Sequence, residues 1–548
     1  MNLSQLGLST MNAARARLIT AGHNINNADT AGYSRQSVAT STAGGTGTSE
    51  GFFGRGVQVD TVRRAYNSFL ASQSANAQSR GAMLAAYGNQ VSQINNLIAD
   101  NTVGISPSIQ KFFDGVQAVA SSPADPAARQ ELLGRTESMV GQFNEMNAFL
   151  NTQRHDINGQ LQTTVTQLNS HVSRIAELNK QITLAQGATG QPPNDLLDQR
   201  DLEVAELNTL AKVNVLDQDG QYTVTIGNGQ LLVAGAHSYR LSAQASESDP
   251  RDVAIYVNMP AGDKLVKVTL DESAIKGGAL GGLLAFRADS LDAVQRQLGQ
   301  LATGMGLAIN AVQAQGIDLA GRAGTPVFQL GQPDALANAR NAGTGELTAR
   351  INLNAASELT SSDYDIRFDG ANYQVTRQPS NEQMFFGPTL QNVQFDGLTL
   401  QLAGTPVAGD AWALKPTRDA AGKMSMILSS PDRWAASSAA GGTANGENML
   451  AMGALQTAKT LMGGAMSFNE AYSQMVNKVA VHTQQNGAQA KVQAALIEQT
   501  YAAQQAVSGV NLDEEYVNLD RFQEQYVAAS KLIEVSATLF DTLMGIRA

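Results

Sequence analysis

Apolar residues at alternating three- and four-residue intervals mark both ends of this chain and much of its middle. Near the start, Met11, Ala14, Leu18, Ala21 and Ile25 share one face of a helix, a face built largely of small side chains. The stretch HNINNADTAGY (23–33) then stops it. Asparagine bonds its own backbone and tolerates left-handed conformations, so Asn24, Asn26 and Asn27 favour a terminating turn. Tyr33 to Thr40 and Val57 to Val62 read as extended segments, joined by a Gly/Ser/Thr-rich flexible loop or long hairpin tip over 41–56.

From about Gln130 to Gln186 the stripe Leu150, Ile157, Leu161, Leu168, Ile175, Leu178 and Ile182 predicts a long helix in a bundle or coiled-coil seam. A further helix is expected to open at Ser290 as N-cap, carry Leu291, Val294, Leu298, Leu301, Met305, Ala308 and Val312 along one side, and pack antiparallel to the first. Between them the period switches to two. In YTVTIGNGQLLV (222–233), Asn228-Gly229 signals a type I′ hairpin, and similar patterns recur around Asp369-Gly370 and Asp396-Gly397.

The segment from Val510 to Ile546 is the most informative. Asn511 is placed to cap a helix, with Glu514 three residues on as in a capping box, and Asp513, Glu514 and Glu515 set negative charge at the positive end of the helix dipole. Leu519, Phe522, Tyr526, Ala529, Ile533, Ser536, Phe540 and Leu543 keep a 3-4 spacing along a helix about 50 Å long. A second stripe, Leu532, Val535, Leu539 and Ile546, lies on the adjacent face. One partner helix does not cover both. At about 1.5–3 kcal/mol per buried side chain, the second stripe forfeits roughly 6–12 kcal/mol if left exposed, which favours association.

These elements predict an α+β multidomain chain. Residues 1–65 with 505–548 are expected to pair as a coiled-coil hairpin of the terminal helices, which makes the rest an insertion between them. Residues 66–330 with 436–504 form a mostly helical middle domain with a small β unit. Residues 331–435 form an inserted outer β domain. A length of 548 residues suits several such cores.

Composition narrows the function. Only 16% of residues are charged and the net charge is -11, with no Lys/Arg cluster, which argues against nucleic acid and anionic membrane surfaces as partners. No run of about 18 apolar residues suggests membrane insertion, and residues 1–20 lack the pattern of a cleaved signal peptide. The absence of cysteine excludes disulfides, thiolate metal sites and cysteine nucleophiles, and suits a chain exported unfolded.

Candidate chemistry is sparse. The GTSEG at 47–51 matches a G-x-S-x-G nucleophile elbow, which would make Ser49 the nucleophile of a secreted serine hydrolase, but it lies in a loop whose composition alone generates such a pattern. The histidines His23, His155, His171, His237 and His482 show no metal-ligand spacing. The sequence from Asp217 to Gly220 begins like a calcium loop but has Asn228 where the bidentate Glu belongs. No Walker or dinucleotide motif occurs. We therefore expect no catalytic, metal or cofactor-binding residues.

HNINNADTAGYSRQ (23–36), GRGVQVDTVRRAYNSFL (54–70) and SGVNLDEEYVNLDRFQEQYVAASKLIEVSATLFDTLM (508–544) together resemble the flagellar axial proteins, and among them the hook-associated protein 1 family of the hook-filament junction. Asn24, Asn27, Thr30, Gly32 and Tyr33 match the turn motif shared by rod, hook and junction proteins, and the Tyr-Ser-Arg-Gln ending is the junction form. His23 departs from it, standing where the family has a small or amide residue. The resemblance implies a structural protein of the extracellular bacterial flagellum, forming a ring of identical subunits between hook protein and a second junction protein. It also implies type III flagellar export and a cytoplasmic export chaperone at the C-terminal helix. A hook or distal rod subunit is the nearest alternative.

Overall fold

A computed structural model describes residues 3–49, 51–99, 104–261, 264–442 and 445–547. The chain opens with α1 (Leu3–Asn26), then strands β1 (Gln36–Thr42), β2 (Gly45–Thr48), β3 (Gly51–Gly54) and β4 (Val57–Arg64). Four helices follow: α2 (Ser68–Ile98), α3 (Ile105–Ser121), α4 (Pro126–Thr189) and α5 (Asn194–Leu210). After a β unit come α6 (Gly278–Phe286) and α7 (Asp292–Gln315), and after the inserted β domain α8 (Glu447–Ala454), α9 (Phe468–Ser508) and α10 (Leu512–Arg547).

The spine of the middle domain is α4. Asp125 caps it by accepting the Ala127 amide, Pro126 stands in its first turn, and Gly190 ends it in the left-handed region. The expected stripe, Leu150, Ile157, Leu161, Leu168, Ile175, Leu178 and Ile182, is buried throughout. Helices α2 and α9 pack antiparallel beside this core: Tyr472 donates to the Ile98 carbonyl at one end, and Gln493 to that of Ala77 towards the other. Close helix approach explains a cluster of glycines. A Cβ at Gly282 of α6 would stand 2.4 Å from the Met83 carbonyl of α2.

This approach also corrects the reading of Ser290. The helix starts earlier, at Gly278, and passes through a π turn at Arg287–Leu291 into α7. Ser290 is buried inside it, sharing a hydrogen bond with the Tyr87 hydroxyl at 2.8 Å, and caps nothing.

The β unit comprises a four-stranded and a three-stranded antiparallel sheet over 213–269. Its Asn228-Gly229 hairpin forms, but not as type I′. Gly227 and Gly229 take the left-handed conformation while Asn228 does not, in a three-residue connection with a nearby register shift. Asp396 and Gly397 do both adopt positive φ, between the paired Phe395 and Leu398, as a type I′ turn requires. At Asp369 the side chain instead accepts the Ala371 and Asn372 amides across a longer connection.

The inserted domain stacks a five-stranded sheet, which includes Asp363–Phe368 and Ala411–Lys415, near a three-stranded one around Leu398–Ala403. Its separate core runs from Leu347 to Leu414 and contains Trp412. Ala421, Met424, Leu428 and Trp434 belong instead to the main core. The chain thus returns to the middle domain before residue 435, where the β domain was expected to end, because these apolar side chains fill the space beside α4 and α7. At the joint, buried Arg154 of α4 pairs with Asp252 and Asp292, and Arg418 reaches Asp252 at 3.3 Å.

Candidate assembly surface and its polar clamp

The two chain ends meet along α1 and α10, which run antiparallel. Gly7 faces Ile533, Arg17 donates to Gln525 at 3.2 Å, and Asn24 donates to Glu515 at 3.1 Å. A Cβ at Gly7 would stand 2.7 Å from Ile533 Cγ1, so the small residues of α1 are what let the helices close up. Ala14 and Ala21 are buried, whereas Met11, Leu18 and Ile25 are half-buried.

On α10, Ala529 is buried, and Leu519, Phe522 and Ile533 are half-buried. Tyr526 lies at the exposed margin. Phe540 (63% exposed) and Leu543 do not join the α1 contact, because α10 runs on past the residues of α1 opposite Ile533. All four members of the second stripe, Leu532, Val535, Leu539 and Ile546, are exposed.

Where α1 stops, its Asn-rich turn becomes the hub of a polar clamp. The Asn24 carboxamide uses its full hydrogen-bonding capacity. Its Oδ1 accepts the Tyr33 hydroxyl (2.8 Å) and the Gln36 amide (2.9 Å), and its Nδ2 donates to the Gln36 carbonyl (2.9 Å) and to Glu515. Asn27 donates to the His23 carbonyl and accepts from Thr30, closing the turn. Gly32 takes φ +78 against Leu202 of α5, where a Cβ would be strained and crowded. The departing residue His23 shares a hydrogen bond with Tyr33 at 2.9 Å and lies 3.7 Å from Asp195 of α5.

The acids at the start of α10 serve this clamp as well as the helix dipole. Asn511 accepts the Asp513 amide at 3.0 Å and, less closely, the Glu514 amide. The Glu514 side chain, expected in a capping box, pairs with Arg35 at 3.1 Å. Buried Glu515 accepts from Arg35 Nε at 2.8 Å. A capping box with both bonds occurs instead at Ser467 and Glu470, opening α9.

Three groups that sequence reasoning missed tie the turn to α10, to the end of α9 and to α5. Arg35 joins it to α10, and its amide donates to the Ser508 carbonyl. The Ser34 amide donates to Asp198 of α5 at 2.9 Å, and Arg64 of β4 pairs with Asp198 and Asp201. Burial holds the Tyr33 phenol protonated well above its usual range, with Asp195, Asp198 and Glu515 adding to the effect, so its hydroxyl stays a donor to Asn24. Burial likewise raises Asp198, with Arg64 and Ser34 only partly offsetting it.

The arrangement positions helices. Ser49 sits exposed in the turn between β2 and β3, with a strand rather than a helix after it, and Glu50 of the same motif lies outside the described residues. Among the described residues no cluster of His, Asp and Glu could hold a metal ion, and no helix is long and apolar enough to cross a membrane.

Comparison with known proteins places the fold first among structural proteins of the flagellum. Residues 5–33, which hold α1 and the turn, match the family described as flagella basal body rod protein. Residues 91–328 match the FlgK helical domain of flagellar hook-associated proteins, and 336–416 match the D2-like domain of flagellar hook-associated protein 1. The flagellar hook-associated protein 1 of Escherichia coli is 37% identical over 545 residues, covering 98% of both chains. That of Salmonella typhimurium is 37% identical over 98% of this chain and 99% of its own. A structure of the flagellar hook junction protein FlgK from Burkholderia pseudomallei superposes with a TM-score of 0.74 at 29% identity, over 80% of this chain and 100% of that one. The chain belongs to the flagellar hook-associated protein 1 family.

Proposed function

We propose that this structural protein of the hook-filament junction works by polymerising through its paired ends into a ring of identical subunits between hook protein and a second junction protein. The observation that carries the reading is the stripe Leu532, Val535, Leu539 and Ile546, which stays exposed although α1 already occupies the neighbouring face of α10. These side chains are 37–78% exposed, so the burial still to be gained between neighbours would contribute about half the value for full exposure, roughly 3–6 kcal/mol. The terminal coiled-coil domain (1–65 with 505–548) is then the polymerising unit, the middle domain, to which the chain returns before residue 435, its support, and the inserted β domain its outward face.

Export of the subunit to the extracellular flagellum by the flagellar type III route accords with a chain that has no disulfides to break. The same exposed stripe is the part of α10 that an export chaperone would shield in the cytoplasm. Phe540→Asp, on the same exposed length of α10 and next to Leu539, tests the reading: the soluble protein folds, but labelled variant is lost from purified flagella and motility fails. Normal incorporation of the variant would refute assembly through this surface.

A further inference from the structure

A second apolar feature stands at the same end of the molecule as the free end of α10. The β1–β4 ribbon runs back along α1: Arg17 donates to Thr40 at 2.9 Å, and a Cβ at Gly56 would touch Ser9 and Leu6. Beyond that point the β2–β3 hairpin continues for about 20 Å to its tip, at ~3.3 Å per strand residue. Past Ile533, which faces Gly7, α10 runs on for a similar ~20 Å at 1.5 Å per residue.

The hairpin bears Phe52 (87% exposed) and Phe53 (48% exposed) at consecutive positions of β3, one ring on each face of the ribbon. The Phe52 ring lies over Gly45 and Gly47 of the facing strand, which offer it almost no side-chain cover. The end of α10 offers the matching half: Phe540, Leu543 and Ile546 are exposed bulky side chains. Each half carries one charge of each sign in the sequence, Glu50 and Arg55 flanking the finger and Asp541 and Arg547 flanking the helix end, so neither repels a second copy.

We propose that the Phe52-Phe53 finger of each subunit packs onto the free end of α10 of a second copy of this chain. Both halves are carried by one sequence, and each is left open in its own subunit. A contact between two different patches repeats head to tail and closes a ring or continues a helix, whereas a self-complementary patch would stop at a dimer. The inference rests on the assembly reading above and adds the counterpart surface that α10 meets.

The test uses the absence of cysteine from the chain. Ser49→Cys and Thr542→Cys, at exposed positions beside the two patches, are introduced together into a chain that is the cell's sole copy, and purified flagella are treated with a short bismaleimide. The expected result is a ladder of covalent oligomers containing only this chain, given by the double variant and by neither single one. Uncrosslinked subunits, a compact intrachain product or an adduct with another flagellar protein would each overturn the proposal while leaving the assembly reading standing. Absence of the wild-type chain from flagella would overturn both. As an independent measurement, the Phe52→Ala, Phe53→Ala double variant should incorporate at least about tenfold less than wild type, and incorporation equal to wild type would also overturn the proposal.

Discussion

Helices α4 and α10 carry the same alternation of apolar positions and bury it to opposite degrees. On α4 the stripe from Leu150 to Ile182 is enclosed by the rest of the middle domain. Among the described side chains of α10 only Ala529, Ser536 and Glu515 are buried, and the apolar side chains beyond Ile533 are open. A heptad stripe therefore states that a helix has a partner. It does not state whether the partner belongs to the same chain. What separates the cases is the neighbour: α1 is short and lined with small residues, so it covers one face and ends before α10 does.

The largest expected effect lies in α4. Leu161 has no exposed surface, and Leu161→Asp would bury a charge without a partner at a cost of more than about 4 kcal/mol, enough to abolish the cooperative melt of the middle domain. Circular dichroism on heating checks it. A variant that melted as wild type would show that α4 is as loosely covered as α10, and the contrast would dissolve.

The clamp comes next. Asn24→Asp removes the donor that serves Gln36 and Glu515 and sets a carboxylate beside Glu515, at about 2–4 kcal/mol. The loss should fall on docking of the terminal hairpin, seen as faster hydrogen exchange around 30–36, with the middle domain unchanged. Equal loosening of both regions would mean that they fold as one unit.

How much of this was legible depended on the range of the interaction. The stripe of α4 is local periodicity, and it was readable. So was the turn, because three asparagines within four residues (24–27) cannot extend a helix comfortably. The use made of Asn24 was not readable: its partner Glu515 lies 491 residues away, and Arg35 and Asp198 look like ordinary surface charges until the fold brings them together. Ser290 misled for the opposite reason. A serine before an apolar run is a good cap signal, but Gly282 lets an earlier helix pack tightly on α2 and continue through it.

Acid should separate the regions with a smaller effect. Burial pushes the Asp252 carboxyl up, but Arg154 and Arg418 outweigh it and bring it down to about 2, below its ordinary value of 3.8. A depressed carboxyl contributes stability that is present above pH 3.8 and lost as pH falls toward 2, here about 2 kcal/mol at 1.36 kcal/mol per pH unit. Asp198 in the clamp is raised, so its sign is opposite: ionising it costs the fold, and protonation relieves that cost. Denaturant melts between pH 5 and pH 2 should lose stability in the middle domain, and Asp252→Asn should remove that step. A step unchanged in the variant would assign it to other carboxyls.

The smallest expected effect is the most discriminating. Phe540 is an apolar side chain on a heptad position, and on α4 such a residue would be costly to replace with aspartate. On α10 it is 63% exposed, so Phe540→Asp should change the stability of the isolated subunit by less than about 0.5 kcal/mol. The same variant is the one expected to be lost from flagella. That pairing of no effect alone and full effect in assembly is what a stripe reserved for a neighbour requires. A destabilisation of more than about 1 kcal/mol in the subunit would mean that the chain already covers Phe540 itself, and α10 would then differ from α4 only in degree.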